Sequence, residues 1–133
     1  MSTTTLTKAA RTLVASTSNA VGATQRGVRD LRTSQGGILT GKITNGATGP
    51  SAQCEMRVLI AHNDGATPAA GAAGADWKTV QRFGGGTTAN AVSEFVYQVD
   101  PGIQHIEVEF TGNVGQSVTV EAFMTEIVDA QTP

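Results

Sequence analysis

At Gly37 the chain changes character. Before it Ser, Thr and Ala dominate and large apolar side chains are few. After it apolar and polar residues alternate in short runs bounded by turn residues. Alternation with a period of two is what a half-buried strand requires, because successive side chains point to opposite faces of a sheet. The clearest run is QCEMRVLIAH (53–62), where Cys54, Met56, Val58 and Ile60 share one face and Gln53, Glu55 and Arg57 the other. GILTGKIT (37–44), DWKTVQRF (76–83), AVSEFVYQV (91–99), IQHIEVEF (103–110) and QSVTVEAFMTEIV (116–128) read the same way.

The punctuation supports this reading. NGATGP (45–50), GGGTTAN (84–90) and DPG (100–102) are turn-rich, and Pro101 followed by Gly102 is a turn with a mechanism: one fixes φ and the other tolerates φ > 0. TGNVGQ (111–116) reads as a hairpin connection between the last two strands. A long stretch of Gly, Ala and Pro through Ala75 is too poor in large side chains to pack a core. Six strands with no helical stretch among them predict an all-β fold, an antiparallel β-sandwich of jelly-roll-like kind over residues 37–133. Phe123 and Ile127, on the second face of the final strand, imply that both its sides are covered.

Residues 1–36 read as an extended N-terminal arm. Leu6, Leu13, Val14, Val21 and Val28 offer only a marginal helical pattern over residues 5–15, in a segment rich in poor helix formers. Fully extended, such an arm reaches roughly 120 Å. Charge divides at nearly the same place. Six basic residues up to Lys42 stand against Asp30 alone, a balance of +5; from Ile43 onward three stand against ten acidic ones, a balance of −7. Arg26, Arg29 and Arg32 fall within seven residues. The leader has no aromatic for stacking on bases, so direct nucleic-acid binding is not expected and an acidic protein surface is the better partner.

Other classes find little support. No apolar run approaches the roughly 20 residues that span a bilayer, and no secretory pattern opens the chain, so no membrane partner is expected. One cysteine, Cys54, excludes an internal disulfide framework and reads as core filling. FGGGTT (83–88) lacks the lysine of a phosphate loop. His62, Asp64, Asp76 and His105 fall short of a metal-ligand set, so neither metal nor cofactor is expected. Glu107, Glu109 and Glu121 are expected to share one exposed sheet face, as an acidic docking site for basic residues rather than a catalytic pair. No serine stands in a nucleophile motif, and the chain is read as a non-enzyme. Trp77 is expected to anchor one sheet on the other.

An arm unable to fold alone, a sandwich body and opposed charges describe a protein that works by assembling. Arg26, Arg29 and Arg32, with Leu13, Val14, Val21 and Val28, are the expected arm contacts to partner subunits, and Glu107, Glu109 and Glu121 the acidic face that receives them. The Ser/Thr/Ala-rich leader MSTTTLTKAARTLVASTSNAVGATQRG, running into a small Gly-rich β body, resembles tailed-bacteriophage virion proteins, above all the capsid cement or decoration proteins. The resemblance implies a homo-oligomer, dimer or trimer, on the outer capsid surface of the virion, bridging neighbouring major capsid proteins. A tail or neck component and a carbohydrate-binding sandwich are the alternatives.

Overall fold

The computed structural model describes residues 4–69 and 76–131. Residues 1–3 of the expected arm, and 70–75 of the Gly/Ala/Pro stretch, lie outside them. Among the described residues eight strands follow one another: β1 (Thr5–Asn19), β2 (Gln25–Asp30), β3 (Gly37–Asn45), β4 (Glu55–Ala61), β5 (Lys78–Gly84), β6 (Val92–Val99), β7 (His105–Thr111) and β8 (Val118–Gln131). They form two antiparallel sheets, a front sheet in the order β1-β8-β3-β6 and a back sheet in the order β2-β7-β4-β5. Successive strands thus cross repeatedly from one sheet to the other, and the two orders together are those of a jelly roll. The expected all-β sandwich is present, and the six strands predicted from Gly37 onward fall within a few residues of their expected places.

The core lies between the sheets. Leu39, Ile43, Val120, Ala122 and Met124 from the front meet Met56, Val58, Ile106, Val108 and Phe110 from the back, all essentially inaccessible. Full burial of such a side chain contributes about 1.5–3 kcal/mol. Cys54 joins this cluster as expected, and burial pushes its thiol up to about 11. Close approach requires glycine at several positions: a Cβ on Gly41 would meet the Met56 sulfur of the facing sheet, and one on Gly27 the Leu13 carbonyl oxygen.

Three expectations need correction. The leader is not a free arm and Gly37 is not a domain boundary. Residues 5–19 pair along β8 from Thr5 opposite Gln131 to Asn19 opposite Val118, and residues 25–30 pair along β7. The marginal helix over residues 5–15 is likewise a strand. The physical reason is local: β8 and β7 each have an open edge there, and Thr and Val suit a pleated surface better than a helix. Second, residues 111–116 do not form a hairpin, since β7 and β8 belong to different sheets. Third, Phe123 is 40% exposed, so the outer face of β8 is not covered at its centre.

Candidate functional site

The outer face of the back sheet carries a network of paired charges, with Val28 and Val80 exposed beside it. Arg26, Glu109, Arg57 and Arg82 stand opposite one another across β2, β7, β4 and β5. Arg26 Nη1 donates to Glu109 Oε2 at 2.5 Å and to Glu107 Oε1 at 3.3 Å. Arg57 donates to Glu109 Oε1 at 3.4 Å and to Glu55 Oε1 at 3.1 Å. Glu107 and Glu109 are buried beneath this network. At the end of β7 His105 is buried as well: Thr67 Oγ1 lies 3.1 Å from its Nδ1, and its Nε2 lies 2.9 Å from the Asn63 carbonyl oxygen. The chain segment after β4 therefore lies against this end of the sheet.

Arg26 does engage Glu107 and Glu109, but within one chain rather than between copies. Arg29 points to the other side of β2, where it and Arg11 hold Glu126 with N–O distances of 3.1 Å. These guanidiniums keep the buried Glu126 carboxyl below its ordinary range against the opposing effect of desolvation. Arg32 is paired with Asp30 at 2.7 Å, which holds that carboxyl well below the usual carboxylate range. Val14 is in the core with Leu13 packed against it, while Val21 and Val28 are exposed.

Glu107, Glu109 and Glu121 do not share a face. The first two lie on the back sheet and Glu121 on the front, because β7 and β8 are split between sheets. Trp77 is buried, yet its indole N–H donates to the Ala69 carbonyl at 3.0 Å, and it does not join the inter-sheet cluster. His62 and Asp76 line a shallow hollow with Asn63 and Lys78.

The open surface is the outer face of the front sheet. Three cross-strand rows lie side by side: Thr125, Ile38 and Gln98; Phe123, Thr40 and Val96; Glu121, Lys42 and Glu94. Ile38, Phe123 and Val96 are 43%, 40% and 65% exposed. Lys42 is paired with Glu121 at 3.0 Å. Thr40, Lys42, Glu94, Val96, Glu121 and Phe123 border a shallow hollow of about 220 Å³. It is a flat surface of threonines and apolar side chains with one ion pair, and its geometry suits broad contact. Sequence reasoning passed over it because alternation shows that one face of each strand is apolar. It does not show that a second, sparser apolar set stays uncovered.

These features define an eight-stranded jelly-roll sandwich with one charge-locked face and one open face. No protein-family model matches the chain, and no curated protein matches it. Among solved structures it is similar to a family 16 carbohydrate-binding module at 10% identity and a TM-score of 0.46, over 89% of this chain and 75% of that one. It is also similar to the mitogen derived from Yersinia pseudotuberculosis at 12% identity and a TM-score of 0.45, over 96% of this chain and 91% of that one. Neither likeness carries functional information.

Proposed function

We propose that the chain is a structural virion protein that attaches to the outer surface of a capsid, bridges neighbouring major capsid proteins and turns over no substrate. The observation that carries this reading is the open front face, where Ile38, Val96 and Phe123 stay exposed beside the Lys42–Glu121 ion pair. Apolar side chains gathered on one exposed face are the kind of surface on which partners dock. Jelly rolls serve as viral capsid domains as well as lectins, which fits the setting but does not select it. A clamp made by the leader no longer belongs to the mechanism, since residues 5–19 and 25–30 are paired within the chain. Contact through a flat face repeated over a symmetric lattice would instead gain strength from many copies.

The test is co-sedimentation with capsid shells of the encoding virus. The protein should pellet with them at a fixed ratio, and Phe123→Asp should reduce that ratio while leaving the circular dichroism spectrum unchanged. One observation favours a second reading. The Phe123 ring, two carboxylates, a lysine and Thr40 border one hollow, a mixture that also suits a sugar. Binding to glycans with no affinity for shells would establish that reading in place of the first.

A further inference from the structure

The two sheets have four edge strands, and three of them are guarded. Strand β1 carries Lys8 and Arg11 and is broken by three register shifts. Strand β2 is six residues long and holds Arg26, Arg29 and Asp30. Strand β5 carries Lys78 and Arg82, with a register shift against β4. Charges, short length and bulges are the devices by which sheets prevent edge-to-edge pairing. Strand β6 is the least protected, with a single acidic residue and no bulge. VSEFVYQV runs eight residues in unbroken register with β3, without Lys, Arg, Pro or Gly, and Glu94 is its only charge.

The free edge of β6 is also chemically ready. At the end of the β3–β6 ladder the Asn45 N–H donates to the Ala91 carbonyl at 2.9 Å. Antiparallel alternation then assigns the ladder bonds to Ser93, Phe95 and Tyr97, and turns the N–H and C=O groups of Val92, Glu94, Val96 and Gln98 toward the open side. The core is incompletely covered at this edge: Phe95 stacks on Phe83 with centroids 4.9 Å apart, yet Phe83, Phe95 and Tyr97 all remain partly exposed.

We propose that β6 is a self-pairing edge, where a second copy of this chain adds its own β6 antiparallel across a two-fold axis and joins two front sheets into one of eight strands. The strand complements itself. Centred on Val96, the pairing sets Glu94 opposite Gln98 of the second copy and Phe95 opposite its Tyr97, so no like charges face each other. An isologous contact of this kind closes on itself and stops at a dimer. The inference deepens the lattice role, but self-association is measured without shells, so the two readings fail separately.

The full-length protein should sediment as a dimer in the micromolar range. Val96→Lys sets two ammonium groups against each other at a position already exposed, and should give a monomer with an unchanged circular dichroism spectrum. Val96→Cys should form a covalent dimer under mild oxidation, because Val96 meets itself on the axis, whereas Val80→Cys on guarded β5 should not; the native Cys54 is buried and does not compete. If Val96→Lys fails to fold, the two cysteine variants decide. A wild-type monomer, a Val96→Lys dimer, or equal cross-linking at Val80 and Val96 each overturns the proposal.

Discussion

Asn113 shows how much of this fold hangs on single polar side chains. It is buried, and its amide donates to the Asn19 carbonyl at 3.0 Å and to the Gln116 carbonyl at 2.9 Å, while its side-chain oxygen accepts from Asn19 Nδ2 at 2.7 Å. It thereby ties the end of β1 to the β7–β8 connection. Asn113→Ala leaves these groups buried with fewer partners, and should cost about 2–3 kcal/mol, read as a lower urea midpoint with unchanged slope. Glu126 makes a different prediction. Its folded pKa lies below its ordinary value of 4.5, so the unfolded chain binds the proton more readily. The stability it contributes is complete above that value and is lost as pH falls through the lower, folded one. Glu126→Gln should therefore flatten the acid limb of the stability profile. It should also cost about 1–2 kcal/mol at neutral pH, less than the ~3–5 kcal/mol of a fully buried pair, because Arg11 and Arg29 are about one-third exposed.

At the scale of elements, the leader is the part that sequence reasoning misplaced. Deleting residues 1–36 removes β1 and β2, uncovers the edges of β8 and β7, and takes Val14 and Leu31 from the core. The truncated chain should be insoluble or lack cooperative thermal unfolding; a β-rich, cooperatively melting remainder would show that the six later strands fold alone. Strands β3, β4, β6 and β8 were legible because each turns one face inward, so their apolar residues recur every second position; β5 and β7, one exposed along most of its length and the other buried on both faces, were found from the turns that bound them. In β1 only Val14 and Asn19 are fully buried, and the strand leaves register three times, so no period survives in its sequence. Its threonines were the available clue, since Thr favours strands even where nothing is buried. Strand β2 was hidden differently: its outward and inward guanidiniums, Arg26 and Arg29, looked like charge awaiting a partner elsewhere. The pairing of Arg26 with Glu107 and Glu109 was readable as chemistry. That it closes within one chain depends on which strands neighbour each other, and alternation carries no information about sheet order.

For the whole molecule, the opposed charges of the two parts of the sequence take on a different meaning once the sandwich is assembled. Arg11, Arg26 and Arg29 meet carboxylates of β7 and β8, so most of the leader's positive charge is neutralised inside the protein. The front face offers a partner exposed Thr, Val, Ile and Phe around the Lys42–Glu121 pair. The two ways of attaching to a shell then respond differently to salt. Raising ionic strength from about 0.1 M to about 1 M shortens the screening length from about 10 Å to about 3 Å. Docking through arginines and an acidic face would weaken steeply over that range, whereas apolar contact would hold or strengthen. Attachment through the front face should therefore survive 1 M salt, within about a factor of two in the bound fraction. Loss at high salt, with Phe123→Asp binding as well as wild type at low salt, would return the contact to the charged surfaces and remove the front face from the mechanism.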